Sequence, residues 1–176
     1  PEDPRTELAK ILACEEIEER FPPDVEAEAA RVPETVLPRD LESRTDLRKL
    51  EFLTIDPETA RDFDDAVCVE AGPNGRSRLW VAVADVSHYV PVGSALDKEA
   101  ERRAFSVYLP DRAVPMLPPA LSSGICSLNP AVDRLAMVTR LDVDESGAVH
   151  EPWFGPAVIH SRARLDYAGA AKALAG

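Results

Sequence analysis

The sequence predicts a mixed α/β fold, with a largely antiparallel or mixed sheet and flanking helices, and three observations predict it. Short apolar runs bounded by turn residues recur between residues 52 and 161, as strands do. Segments with apolar residues at helical spacing lie before, between and after those runs. Sixteen prolines in 176 residues are nearly twice the usual ~5%, which implies many turns and edges and excludes a simple helix bundle. A chain of this length buries roughly 70% of its unfolded surface, enough to build one core.

Taken in order, Thr6 to Phe21 carries Leu8, Ile11, Leu12 and Ile17 at helical spacing, with Thr6 as the expected N-cap and Pro22-Pro23 as the stop. Asp24 to Arg31 reads as a second, short helix and Pro33 to Arg44 as an extended connector, so residues 1–45 form a peripheral helical extension. The main domain is expected over 46–176. Phe52 to Ile55 and Ala66 to Glu70 read as strands, and Asn74-Gly75 turns the chain into Leu79 to Val86. That last run is apolar on both faces except for Asp85, as a central, doubly covered strand would be. Ser94 and Asp97 form a weak capping box for a helix to about Ala104, followed by an extended segment from Phe105 to Leu109. Leu135 to Val143, a turn at Asp144 to Gly147, and Val158 to Ser161 add strands, and a final helix begins near Asp166.

With 45% hydrophobic and 30% charged residues, the chain is neither wholly disordered nor a coiled coil. No apolar run approaches the ~20 residues of a membrane span and no charged-then-apolar leader opens it, so a soluble, cytoplasmic protein is expected. The net charge of −12 opposes nucleic-acid binding when taken whole, but its distribution matters. Residues 1–70 hold 21 acidic and 9 basic side chains, whereas 71–176 hold 11 of each. Arg76 with Arg78, Lys98 with Arg102 and Arg103, and Arg162 with Arg164 could make local positive patches, but solvated surface charge is the favoured reading of any one pair. Cys14, Cys68 and Cys126 are far apart with no C-x-x-C pair, so buried free thiols are expected rather than disulfides or a thiolate zinc site. His88, His150 and His160 lack ligand spacing and read as structural.

The informative stretch is Asp56-Pro-Glu-Thr-Ala-Arg-Asp62-Phe-Asp64-Asp65, four aspartates at the junction of two strands. Carboxylates brought within ~6 Å raise one another's pKa unless a cation intervenes, and a hard divalent ion such as Mg²⁺ or Mn²⁺ is the natural counter-charge. A solvated acidic loop with diverging side chains accounts for the same composition. An EF-hand starting at Asp56 fails, because Arg61 stands where glycine is needed and Val67 where the bidentate Glu belongs. A haloacid-dehalogenase-like phosphotransferase would want a second Asp where Asp56-Pro57-Glu58-Thr59 has Glu58.

Over Arg44-Thr-Asp-Leu-Arg, Thr54-Ile-Asp-Pro, Ala60-Arg-Asp-Phe-Asp-Asp-Ala66, Ala84-Asp-Val-Ser-His-Tyr-Val90, Ser106-Val-Tyr-Leu-Pro110, Pro115-Met-Leu-Pro118, Leu121-Ser-Ser-Gly-Ile-Cys-Ser-Leu-Asn-Pro130 and Asp133-Arg-Leu135, the chain resembles one known family. This is the catalytic domain of the ribonuclease II and ribonuclease R exoribonucleases, shared with the catalytic subunit of the eukaryotic exosome. The resemblance implies a Mg²⁺-dependent 3′→5′ exoribonuclease that hydrolyses single-stranded RNA to nucleoside 5′-monophosphates. It places Asp56, Asp62, Asp64 and Asp65 on the family's active-site aspartates and Tyr108 on the tyrosine that packs against the last nucleotide. Asp56, Asp62 and Asp65 are expected nearest the metal, with Asp64 facing solvent or nucleophile. Because neighbouring strand residues point to opposite faces, convergence of Asp64 and Asp65 requires a bend. Arg112, and with it Arg102 and Arg103, is a candidate phosphate contact. Asp85, His88 and Tyr89 read as structural.

The chain departs from the family pattern at Ala82, where His is usual, and at Arg102-Arg-Ala-Phe105, where glycine often follows the arginine. The resemblance also implies that the catalytic domain continues beyond this chain, in a second half that would be its partner. A non-catalytic scaffold retaining the fold is the alternative reading.

Overall fold

The computed structural model describes residues 4–175. Its helices are α1 (Pro4–Cys14), α2 (Pro23–Ala29), α3 (Val86–Tyr89), α4 (Ala95–Arg103) and α5 (Tyr167–Ala175). Its strands are β1 (Thr45–Asp46), β2 (Leu53–Asp56), β3 (Asp65–Ala71), β4 (Ser77–Ala84), β5 (Val107–Tyr108), β6 (Ala113–Val114), β7 (Asp133–Val143), β8 (Val149–His160) and β9 (Ala163–Asp166). Seven strands form one mixed sheet in the order β1-β8-β7-β4-β3-β2-β9, and β5 pairs with β6. The sheet is antiparallel except at β1/β8 and β2/β9. The apolar run at 79–86 is the middle strand, as its two-faced hydrophobicity predicts, although the strand itself ends at Ala84.

The sheet carries two cores. On one face Phe52, Phe63, Ala66, Ala82, Val138, Leu128 and Ile159 pack together. At the Leu135/Val158 end of the other face, Leu96 of α4, Val25 and Ala29 of α2, and Leu117, Leu121 and Ile125 close a second cluster. Residues 21–41 are thus tied into the core through α2, Val32, Val36 and Leu41. The rest of that second face stays open, with Val69, Val83 and Phe154 exposed.

Several boundaries differ from the sequence reading. The first helix begins at Pro4 and stops at Cys14, so Thr6 lies inside it. A helix through Glu15, Glu16, Glu18 and Glu19 would stack like charges at its negative C-terminal end; instead Glu18 and Glu19 pair with Arg102 and Arg112. The connector contains a 3₁₀ turn at Pro38–Leu41. β8 begins at Val149, well before the predicted Val158. Its Pro152 and Pro156 are tolerated because β8 pairs on its outer side only at Ala157 and Val158. β9 was not anticipated.

The cap of α4 forms as read: Ser94 Oγ accepts from the Asp97 amide at 3.1 Å, and Asp97 in turn accepts from the Gly93 amide at 2.7 Å. The helix ends at Ala104, whose φ of 64° with ψ of −40° makes a γ-turn closed by Phe105 N–H donating to the Arg103 carbonyl at 2.8 Å. That backbone suits glycine.

Cys68 and Cys126 are buried and Cys14 is exposed. Burial pushes the Cys126 thiol up to about 12 and raises that of Cys68. Thiol alkylation of the native protein at pH 8 is therefore expected to modify Cys14 alone, the other two reacting only after denaturation; peptide mapping checks this.

Candidate active site

Phe63 organises the aspartates. Its amide donates to Ser127 Oγ at 2.9 Å, its carbonyl accepts from the Leu128 amide at 2.8 Å, and its ring is buried in the first core. In extended backbone the residues on either side of a buried one face outward, so Asp62 and Asp64 are presented together on the opposite side. The Asp64 carbonyl accepts from the Ala84 amide at 2.8 Å, which locks this loop to the central strand. Asp56 ends β2 and Asp65 begins β3, so both strands end at the acidic cluster.

Asp56, Asp62 and Asp64 line a hollow of about 620 Å³, together with Thr59, Tyr108 and Arg112. Small-molecule sites fall within about 300–1,000 Å³. Asp65 lies outside that lining, paired in register with Val83, yet its charge acts on Asp56 and Asp64. Burial raises the Asp56 carboxyl; the neighbouring Thr54 hydroxyl opposes the rise, the Asp65 and Asp62 charges add to it, and the Arg164 cation opposes it. Desolvation likewise raises Asp64, followed by Asp62, Asp65 and Asp56. The four carboxylates are therefore close enough to raise one another's pKa.

Tyr108 is 70% exposed, on the β5 strand across the hollow, and its hydroxyl donates to Asp62 Oδ2 at 3.2 Å. Burial and then Asp62 push the phenol above its ordinary value. Arg112 lines the same hollow, but its guanidinium is engaged by Glu19 at 2.7 Å and Asp111 at 2.6 Å. Arg102 and Arg103 point elsewhere: both pair with buried Glu99, and Arg103 also covers the Phe21 ring at 3.8 Å. Of the suggested positive patches, Arg78 is paired with Asp142 and Arg102 and Arg103 with Glu99, whereas Arg162 and Arg164 bond to backbone carbonyls and keep their charge. Each histidine sits beside a carboxylate: His88 by Asp40, His150 by Asp144, His160 by Asp133.

The residues suit a hard divalent cation by donor type. Asp56 Oδ2 and the neighbouring Thr54 hydroxyl are both sealed from solvent without a well-formed hydrogen bond, a cost at Asp56 that a cation would remove. Among the described residues no three acidic, His or Cys side chains already converge as a metal site, so ligation needs the carboxylates to close up. Sequence reasoning missed the π-helical turn at Ala120–Ile125 and the buried Arg134, which donates to the Ser127 and Gly124 carbonyls and so supports the hydroxyl that holds Phe63.

The RNB domain family model matches residues 44–176. The ribonuclease R of Vibrio cholerae is 49% identical over 93% of this chain, which covers 20% of that protein. The structure of Mycoplasma genitalium RNase R in complex with double-stranded RNA superposes with a TM-score of 0.92 at 36% identity, over 99% of this chain and 31% of that one. The same protein in complex with ribose methylated single-stranded RNA gives 0.91 at 36% identity, over 99% of this chain and 27% of that one. The chain thus spans about a fifth of the length of the curated relatives it matches. Among the described residues no helix is long and apolar enough to cross a membrane.

Proposed function

This chain belongs to the RNB domain family, and we propose on that premise that it carries the aspartate site of a 3′→5′ exoribonuclease acting on single-stranded RNA with Mg²⁺ or Mn²⁺. The observation that carries the reading is one hollow lined by Asp56, Asp62, Asp64 and Tyr108, with the Tyr108 hydroxyl bonded to Asp62. Asp56, Asp62 and Asp65 would hold the ion once the carboxylates close up, with Asp65 turning in from outside the hollow's lining and Asp56 contributing its solvent-sealed oxygen. When bound there, a hard divalent cation supplies Lewis-acid activation of water and offsets charge on the leaving 3′ oxygen. Asp64, on the hollow's wall with its carboxyl pushed up, orients the attacking water and accepts its proton at a carboxylate oxygen. The Tyr108 ring offers a stacking surface to the terminal base, worth about 1–3 kcal/mol and indifferent to sequence. Arg112 reaches an RNA phosphate by exchanging a carboxylate partner for it.

The test uses the complete enzyme that contains this chain, and the chain alone, with 5′-labelled single-stranded RNA bearing a free or a blocked 3′ end. Stepwise shortening to nucleoside 5′-monophosphates is expected only with a free 3′ end and Mg²⁺ or Mn²⁺. Internal cleavage, or shortening of 3′-blocked RNA, overturns the reading; tight RNA binding with no shortening under any condition favours the scaffold instead. In the same assay Tyr108→Ala is expected to raise KM about 10-fold, the stacking contribution of one base.

A further inference from the structure

Arg164 stands on β9, the strand outside β2, with Arg164 opposite Thr54 and Asp166 opposite Asp56. From that edge its side chain returns over the aspartate loop. Nη2 donates to the Pro57 carbonyl at 3.1 Å and also to the Glu58 carbonyl. The guanidinium carbon lies 4.8 Å from the centroid of the Phe63 ring. One side chain thus grips the two residues that follow Asp56 and the residue between Asp62 and Asp64. Its partners are carbonyls and a ring face, contacts that a planar guanidinium makes together and an ammonium does not.

The far end of the loop is anchored by Ser127 and Leu128 at Phe63 and by Ala84 at Asp64, with the Tyr108 hydroxyl on Asp62, whereas the stretch just after Asp56 is tied to the rest of the fold through Arg164. β2 ends at Asp56 and β3 resumes at Asp65, and within the loop the Ala60 amide closes a turn onto the same Pro57 carbonyl. We propose that Arg164 is the positioning residue of the aspartate site: it sets the separation of Asp56 from Asp62 and Asp64 by clamping the backbone between them, and it makes no contact with RNA. The inference rests on the reading of the hollow as a nuclease site. A clamp of this kind matters because misplacement of a reacting group by about 1 Å can lower a rate on the order of 100-fold.

The test compares wild type, Arg164→Met and Arg164→Lys in the complete enzyme. Arg164→Met is expected to lower kcat by about 10- to 100-fold with KM and RNA Kd unchanged, and Arg164→Lys, which keeps the charge and a donor, to recover part of the loss. Amide exchange across residues 58–63 is expected to accelerate about 10-fold in Arg164→Met while the central strands keep their protection. Unchanged exchange in the loop overturns the clamp. So does a drop in the salt dependence of RNA binding by about one phosphate contact, a log–log slope change of about 0.7, because Arg164 would then be an RNA ligand. A lower Tm with unchanged kcat also overturns it, by reducing Arg164 to a stability role. If wild type shortens no RNA, the nuclease reading fails on its own, and loop exchange still decides the clamp.

Discussion

Asp64→Asn is expected to lower the hydrolysis rate of the complete enzyme by about 10²–10⁴-fold while leaving RNA affinity near that of wild type. The side chain makes no structural hydrogen bond; the residue is tied to the fold through its carbonyl, which accepts from Ala84. Asparagine keeps the shape and removes one charge from a cluster whose members raise one another's pKa, so the fold loses nothing and its acidic strain falls. What is lost is a proton acceptor at the wall of the hollow. Turnover measured on 5′-labelled RNA, beside equilibrium binding of the same RNA, separates the two effects. Rate and affinity falling together would contradict this division of roles.

Asp85→Ala is expected to lower stability by about 3–5 kcal/mol, a Tm drop on the order of 10 °C for a domain of this size. The Asp85 and Arg44 side chains are each 7% exposed and meet at 2.6 Å, and Asp85 also accepts from Ser87 Oγ at 2.8 Å. Burial alone would raise the Asp85 carboxyl; the bonds from Arg44 and Ser87 outweigh it and hold the group below the ordinary carboxylate range. Removing the acid strands a buried guanidinium. Because the folded-state pKa is depressed, the contribution is complete above the unfolded value of about 3.9 and is lost as pH falls through the folded value. Acid unfolding of wild type and variant should therefore converge at low pH, and thermal melts across pH 2–7 check it. Replacing both partners by apolar side chains should recover much of the loss.

What was legible in the sequence was what periodicity and local chemistry encode. The two-faced apolar run at 79–84 marks the centre of a sheet, and Ser94 marks a helix start, because each signal is local. The aspartate spacing identified the cluster, and the buried Phe63 between Asp62 and Asp64 explains why two of its members share a face. Tyr108 was found only through family resemblance, since an exposed tyrosine in a two-residue strand carries no signal of its own. β9, and the contacts Arg164 makes from it, were not legible. Their partners are separated from them by the length of the domain, and a short segment of mixed polarity gains its meaning only from the strand beside it. The acidic run at Glu15–Glu19 looked helical by its apolar spacing, and charge repulsion together with distant arginines decided otherwise.

The two parallel pairings of the sheet join opposite ends of the chain, Thr45–Asp46 with Ala157–Val158 and Leu53–Asp56 with Ala163–Asp166. The β3–β4 and β7–β8 hairpins need only near neighbours and can assemble as soon as each leaves the ribosome. The strand that carries Asp56 cannot gain its second neighbour until β9 has been synthesised, long after its own emergence. Contacts of such separation slow folding, because closing the intervening chain precedes any reward from the pairing. The aspartate loop of a nascent chain is therefore expected to be the last part of this sheet to acquire its shape, and a ribosome stalled before Ala163 to carry a strand at Asp56 that still lacks its outer neighbour.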